Sequence, residues 1–91
     1  MAEDDAEDDY NVIAVTENEE SEPVGLIAEE DGTLLLSTVK GQFAQASGLK
    51  FRRSRPPMWI GVRVTNGVLH PPPGGWGSRV YTAAMPRTGN Y

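Results

Sequence analysis

The fold of this chain depends most on one segment, DGTLLLSTVKGQF, which runs from Asp31 to Phe43. Leu36, Val39 and Phe43 recur at spacings of three and four, which places them on one side of a helix. Thr33 is suited to cap the start of that helix, and the acidic residues before it favour its positive end. The segment therefore predicts one helix whose apolar side must be covered by other elements.

Two strand patterns precede the helix. Residues 11–16, NVIAVT, are apolar and β-branched, and residues 23–28, PVGLIA, resume the pattern after a polar turn at 17–22. Proline is tolerated at the first position of a strand, so Pro23 does not exclude the second one. We predict a hairpin of two strands.

Further strand patterns follow the helix. They lie at residues 49–53, 60–64 with Thr65, 68–69 and 80–84. Asn66-Gly67 favours a type I′ turn, because both central residues of that turn take positive φ, so we expect the strands on either side to pair. The predicted order, β-β-α-β-β-β-β, is that of an α+β β-grasp domain. A plain β-sandwich is the alternative, but it leaves the helix without a partner layer.

Composition limits the class of protein. The chain has 91 residues, enough for one small domain, and no cysteine, which excludes disulfides, thiolate zinc sites and cysteine nucleophiles. Its N-terminus is acidic, and no apolar run approaches the roughly 20 residues of a membrane helix. We therefore expect a soluble intracellular protein without a membrane partner.

Charge is divided along the sequence. All thirteen Asp and Glu lie between Glu3 and Asp31, and all eight Lys and Arg lie between Lys40 and Arg87. We predict a disordered acidic tail at residues 1–10, a folded domain at 11–87 and a frayed end at 88–91. The two charged parts either attract another copy of the chain or neutralise each other within one fold, and the sequence leaves both possibilities open.

Several segments together resemble a known family. They are Val15-Thr16-Glu17, Glu22-Pro23, Asp31-Gly32-Thr33, Leu35-Leu36-Ser37-Thr38-Val39, Gln42-Phe43, Gly48-Leu49, Gly61-Val62-Arg63, Gly67-Val68-Leu69-His70, Gly75-Trp76-Gly77 and Val80-Tyr81. Read in order without gaps, from about residue 12 to residue 86, they resemble the N-terminal domain of the TAR DNA-binding protein family.

This resemblance implies a ubiquitin-like, DIX-like β-grasp domain that polymerises head to tail. It also implies a nuclear RNA-binding protein that regulates splicing, with passage to the cytoplasm left open. The domains that contact RNA or DNA in that family lie downstream, beyond this fragment. The implied partner of the domain is a second copy of itself.

The family's contact residues carry over to two faces of this chain. The acidic and apolar face corresponds to Glu22, Glu29, Leu36, Val39 and Gln42. The basic face corresponds to Arg63, and we add its neighbours Met58, Trp59 and Ile60 as apolar and aromatic surface. A position in the core is the interpretation we favour for Met58 and Trp59.

The chain departs from the family at four positions. Ile60 replaces an arginine of the basic face, Gly25 replaces a glutamate of the acidic face, and Val12 replaces a tyrosine of the first strand. Pro56 stands where the family has a serine open to phosphorylation. The contact implied for this chain therefore has fewer charged residues than that of the family. A phosphate switch at position 56 does not carry over.

A basic segment supports a rival function. Lys50, Arg52, Arg53 and Arg55 surround the aromatic Phe51, and single-stranded nucleic acid is bound by such mixtures of charge and stacking. Against this, the sequence pI is about 4.7, and strand alternation turns Phe51 away from the arginines. The alternative prediction is a monomeric module that binds nucleic acid weakly.

The sequence favours no reaction chemistry. His70 is the only histidine, without a second ligand at metal-binding spacing, so we expect a local hydrogen-bonding role and no metal. Serine and glycine motifs of hydrolases and phosphate-binding loops are absent, so we predict no enzyme, cofactor or small-molecule substrate. We expect Glu29–Asp31 to form a solvated turn and Pro71–Pro73 to stiffen the loop that sets Trp76 against the fold.

Overall fold

The computed structural model describes residues 12–86. The predicted disordered tail at 1–10 and the predicted frayed end at 88–91 lie outside these residues. The described chain forms strands and one short helix, with these bounds: β1 Val12–Thr16, β2 Val24–Ile27, β3 Leu34–Leu35, α1 Leu36–Gln42, β4 Gly48–Ser54, β5 Pro57–Gly61, β6 Val64–Thr65, β7 Val68–Leu69 and β8 Val80–Ala84. The α+β class is confirmed.

The strands form two sheets. The larger has the order β2-β1-β8-β4-β5, and the smaller has the order β3-β7-β6. In the larger sheet β1 pairs with β8 in parallel and with β2 in antiparallel fashion, which confirms the predicted first hairpin. The outermost strands of this sheet are β2 and β5, so they lie at its opposite sides.

The predicted Asn-Gly hairpin is confirmed. Asn66 and Gly67 have φ values of 53° and 78°, and Val64-Thr65 pairs with Val68-Leu69 in antiparallel register. The backbone N–H of Leu36 donates to the Gly67 oxygen at 2.8 Å. This bond ties the tip of the hairpin to the start of α1.

The predicted helix cap at Thr33 is wrong. Its hydroxyl donates to Asp31 Oδ1 at 2.7 Å, and the position before the helix is Leu35, which has no side-chain capping bond. The reason is tertiary, because Leu34 and Leu35 pair with Leu69 and Val68 as β3 and must be extended. The helix therefore starts later than its sequence pattern indicates.

The predicted order of elements also needs correction. β3 precedes the helix, and the predicted strand at 60–64 is divided into β5 and β6. Between them the chain changes sheets: the Val62 N–H donates to the Leu49 oxygen, and the Arg63 oxygen accepts from the His70 N–H, both at 2.9 Å. The architecture is compatible with a β-grasp, with strands more finely divided than predicted.

The core lies between the large sheet and the helix with its small sheet. Val39 is fully buried, and Leu36 and Phe43 pack against the core, so the apolar side of the helix is covered as expected. Tyr81 is also fully buried, and its ring meets the rings of Phe51 and Trp76 edge to face, with centroids 5.5 and 5.4 Å apart. These rings join β4 and the loop before β8 to the middle of the sheet.

Two hydrogen bonds hold the long loop before β8 on the core. Trp76 Nε1 donates to the Gly32 oxygen at 2.7 Å, and the Tyr81 hydroxyl donates to the Trp76 oxygen at 2.7 Å. Trp76 is buried, so the prediction that this loop sets Trp76 against the fold is confirmed. Within residues 12–86, no helix is long and apolar enough to cross a membrane.

Candidate functional site

The outermost strands of the large sheet have flanks of opposite charge. Glu22 and Glu29 lie two residues before and two residues after β2, and Arg55 and Arg63 lie at the same distances around β5. All four side chains are exposed. We call β2 with Glu22 and Glu29 the acidic edge, and β5 with Arg55 and Arg63 the basic edge.

The predicted residues of the acidic and apolar face are only partly on the surface. Glu22, Glu29 and Gln42 are exposed, and Leu36 is half-buried. Val39 has no exposed surface, because it lies on the core side of α1, so it cannot contact another molecule from this position. We remove Val39 from the predicted contact residues.

Ile27 on the acidic edge was missed by the sequence analysis. This apolar side chain ends β2 and is 53% exposed. It pairs with Val12, which is 50% exposed, and paired residues of antiparallel strands share one face of a sheet. The alternation of residues 23–28 contained this signal, because Leu26 faces the core and its neighbour in sequence must face outward.

On the basic edge, the favoured core position for Met58 and Trp59 is wrong. These side chains are 42% and 39% exposed, because Trp59 lies on the outer face of the large sheet and Met58 lies next to the turn of the β4–β5 hairpin. Ile60 is half-buried and pairs with Phe51, and Arg63 is exposed. The basic edge therefore combines charge with exposed apolar and aromatic surface.

The basic segment of β4 does not form one surface. Lys50 and Arg52 share a face with Trp59: Lys50 Nζ lies 4.7 Å and the Arg52 guanidinium carbon 5.5 Å from its ring centroid. Arg53 alternates to the other face, and its Nε donates to the Arg55 oxygen at 3.2 Å. Phe51 faces inward against the Tyr81 ring as predicted, but it does not lie away from every arginine, because Arg53 shares its face of β4 and the Arg79 guanidinium carbon lies 4.4 Å from its ring centroid.

Acidic and basic side chains meet in a groove on the outer face of the large sheet. Its volume is about 790 Å³, and the β1–β2 loop supplies acidic side chains to one wall while β4 supplies basic ones to the other. The charged lining residues are Glu17, Glu19, Glu20, Lys50 and Arg52. These opposite charges face each other within one molecule, whereas the charges at the two edges of the sheet lie apart.

The predicted hydrogen-bonding role of the His70 side chain is not found in the described residues. Its backbone N–H donates to the Arg63 oxygen, but its buried Nε2 has no hydrogen-bond partner among residues 12–86. A shallow groove of about 410 Å³ lies beside it, lined by β5, the β5–β6 connection and Pro71–Pro73. No group of three or more metal-ligating side chains occurs in the described chain.

The acidic turn at Glu29–Asp31 is organised by local hydrogen bonds. The Thr33 hydroxyl and the Thr33 N–H both donate to Asp31 Oδ1, at 2.7 and 3.0 Å. These bonds favour the charged carboxylate, and they hold the pKa of Asp31 below its ordinary value. The side chain is exposed, as predicted for a solvated turn.

The fold and these surfaces define a small, strand-rich α+β domain whose large sheet has oppositely charged edges. Residues 12–85 match the sequence model of the family described as TAR DNA-binding protein 43, N-terminal domain. The chain belongs to that family, as its sequence motifs indicated. The family consists of N-terminal domains of nucleic-acid-binding proteins and is not an enzyme family.

Proposed function

We propose that this domain joins copies of itself head to tail, with the acidic edge of one copy on the basic edge of the next. The observation that carries the proposal is the matched placement of charge, two residues outside each end of β2 and of β5. On this proposal the fold belongs to the ubiquitin-like, DIX-like subgroup of β-grasp domains.

The geometry of the sheet supports an open chain of copies. An outermost strand directs one row of backbone N–H and C=O groups away from its own sheet, where another strand or side chain can pair with it. The acidic and basic edges lie on opposite sides of one sheet. A contact between two different surfaces does not close on itself, so it leaves one free surface at each end for a further copy.

The charges select which edges meet. Both flanks of β2 are acidic and both flanks of β5 are basic, so opposite charges match whichever way the two strands run. Two acidic edges, or two basic edges, repel each other. Complementary charge therefore speeds the encounter and excludes the like-with-like pairing.

Apolar side chains supply the contact area that charge does not. Met58 and Trp59 are exposed on the basic edge, and Ile27 is exposed on the acidic edge, with Leu36 half-buried on the adjacent helix. Aromatic side chains in the centre of an interface often carry most of its binding energy. We therefore assign the anchoring role to Trp59 and the orienting role to the charged flanks.

Two departures from the family support a contact based more on apolar surface. An added Cβ at Gly25 would lie 2.9 Å from Val12 Cγ1. The valine at position 12 therefore leaves room only for glycine at position 25. Ile60 on β5 is likewise apolar, where the family has arginine. Fewer charges and more apolar surface predict a contact that salt weakens but does not abolish.

In the parent protein, assembly of this domain would gather the RNA-binding domains attached to it. Joined copies raise the effective concentration of every attached module, so weak individual contacts become strong collective ones. On this proposal the protein acts in the nucleus as a regulator of splicing, with passage to the cytoplasm. Imaging a fluorescent fusion of the full-length protein tests that location.

The test of self-association is sedimentation velocity over a concentration series at low and high salt, with Glu22→Arg and Arg63→Glu beside the unaltered chain. We expect the unaltered chain to form salt-sensitive oligomers and each variant to lose them. Mixed together, the variants should recover a dimer, because each retains the surface that the other lacks. Lys40→Glu is the control, since it makes the same charge change as Arg63→Glu at an exposed position of α1.

A monomer at every concentration contradicts the proposal. So does equal loss of association in the Lys40→Glu control, which would assign the effect to net charge rather than to the basic edge.

One observation favours a second candidate function, weak binding of single-stranded nucleic acid. The exposed Trp59 ring has Lys50 and Arg52 beside it, a combination of stacking and positive charge that such binding uses. The acidic wall of the same groove opposes it. This function predicts quenching of Trp59 fluorescence by an oligonucleotide and no self-association.

A further inference from the structure

Three arginines gather at one end of the large sheet. Arg53 is the next-to-last residue of β4, Arg55 lies in the following turn, and Arg79 immediately precedes β8. Lys50 pairs with Thr82 in the antiparallel β4–β8 register, and continuing this register brings Arg53 level with Arg79. All three side chains are exposed. We call Arg53, Arg55 and Arg79 the arginine end.

Local contacts hold the side chains of Arg53 and Arg79 in place. The Arg79 guanidinium carbon lies 4.4 Å from the centroid of the Phe51 ring, and Arg79 donates to the Tyr81 hydroxyl at 3.3 Å. Arg53 bonds to the backbone of Arg55. Positioned guanidinium groups bind carboxylates at a smaller entropic cost than freely rotating ones.

The N-terminal segment joins the fold beside the arginine end. β1 runs parallel to β8 with Ala14 opposite Val80, so Val12 comes level with Ser78, the residue before Arg79. Val12 also lines a small cavity with Trp76 and Gly77. The chain that precedes Val12 therefore starts within about two strand spacings, roughly 10 Å, of β4.

The segment from Glu3 to Asp9 has the length and the charge to reach the arginines. It contains six acidic residues and no basic one. At about 3.3 Å per residue, Asp9 can extend roughly 10 Å from Val12 and Glu3 roughly 30 Å. Among the folded acidic residues, those of the β1–β2 loop lie at the other end of β1, whereas Glu29–Asp31 follow β2 at the same end as Val12, on the side of the sheet away from β4.

We propose that the acidic segment Glu3–Asp9 binds the arginine end of its own chain. The segment lies outside residues 12–85, the part of the chain that matches the family. It occupies Arg55 of the basic edge, so it competes with the acidic edge of a second copy. That regulatory consequence rests on the proposed function, but the intramolecular contact does not.

The test is paramagnetic broadening in solution. The chain has no cysteine, so Ala6→Cys gives a single site for a nitroxide label in the middle of the acidic segment. In a dilute ¹⁵N-labelled sample of the whole chain, we expect strong broadening of the Arg53, Arg55 and Arg79 amides. Raising the salt to about 0.5 M should remove it, because ion pairs at a surface are screened.

Two sets of variants examine the role of charge. Replacing all six acids of the segment by Asn or Gln should abolish the broadening, and Arg53→Gln with Arg55→Gln should reduce it severalfold. Lys40→Gln is the matched control and should leave it unchanged. Broadening that survives neutralisation of the acids, or that is absent at low salt, overturns the proposal.

A mixed sample separates this contact from association of copies. Spin-labelled chain without ¹⁵N is added to ¹⁵N chain without the label, at the same total concentration. Broadening in the mixed sample can arise only between two copies. It would mean that the segment binds a second copy, which overturns the proposal. Broadening confined to the doubly labelled chain supports it, even where sedimentation finds no oligomers and the proposed self-association fails.

Discussion

Asp31 illustrates how much a single side chain organises in a short turn. Its Oδ1 atom accepts hydrogen bonds from the hydroxyl and from the N–H of Thr33. Both bonds are stronger to the ionised carboxylate, so they lower its pKa, and the positive charge on His70 acts in the same direction with the smallest effect. The turn is thereby coupled to the ionisation of one exposed group.

We predict that Thr33→Val raises the pKa of Asp31 towards its ordinary value of 3.8, because the first and largest cause of the lowering is removed. An NMR titration of the carboxyl carbon measures the midpoint. Thr33→Ser keeps a hydroxyl donor and should keep the low midpoint. Equal midpoints in the valine and serine variants would contradict the assigned cause.

The sign of the effect on stability follows from linkage. The pKa of Asp31 is lower in the folded chain than in the unfolded one, so its contribution to stability is complete above the unfolded pKa, near 3.8. That contribution is lost as the pH falls through the folded pKa. In the valine variant the loss on acidification should be smaller.

At the scale of elements, β1 and β2 are coupled across the outer face of the sheet. Gly25 pairs with Ala14, and the space that a side chain at Gly25 would need is taken by Val12. The β-branched Val12 has few alternative rotamers, so it cannot easily move aside. A glutamate at position 25 therefore requires a different residue at position 12.

A double-mutant cycle tests this coupling. We expect Gly25→Ala to be about 1 kcal/mol more favourable in a Val12→Ala background than in the unaltered chain, because the first substitution removes the crowded methyl group. Urea denaturation of the four proteins gives the free energies of unfolding. Additive effects, within roughly 0.5 kcal/mol, would mean that the two positions are independent.

At the scale of the whole molecule, the large sheet places some acidic and basic residues on opposite sides. In the sequence, the acidic residues simply precede the basic ones. Acidic residues of the β1–β2 loop share a groove with Lys50 and Arg52, whereas the flanks of β2 and β5 lie on opposite sides. The groove agrees with the interpretation that the charges neutralise each other within one fold, and attraction of a second copy is the proposal that the edges support. The edges are where charge remains available to another molecule.

We predict that Trp59→Ala weakens self-association at least about tenfold with little loss of folding stability. An exposed aromatic anchor contributes about 2 kcal/mol or more to a contact, whereas its exposed cation contacts within the chain contribute about 0.5–1 kcal/mol. Sedimentation and thermal unfolding measure the two effects. Val80→Ala is the control: its side chain is 45% exposed, on an inner strand of the same sheet.

Equal weakening by Trp59→Ala and Val80→Ala would assign the contact to the outer face of the sheet rather than to its basic edge.

Sequence patterns predicted the secondary-structure elements well wherever the structure of an element depends on residues close together in the chain. Asn66-Gly67 specified its hairpin through positive φ, and the alternation of 49–53 directed Phe51 inward. The candidate contact residues were predicted less completely. Val39 is in the core and Ile27 is exposed, because burial depends on which elements lie across from a side chain as well as on its period.

The sequence by itself determined the α+β class, the two hairpins, the family and the apolar side of the helix, since these follow from nearby residues. Tertiary structure alone decided that Leu34 and Leu35 are extended, that Trp59 lies on the outer face of the large sheet, and that β2 and β5 are the outermost strands. The physical reason is that strand order and register arise from pairing between segments far apart in the chain. No local pattern encodes which segments become neighbours.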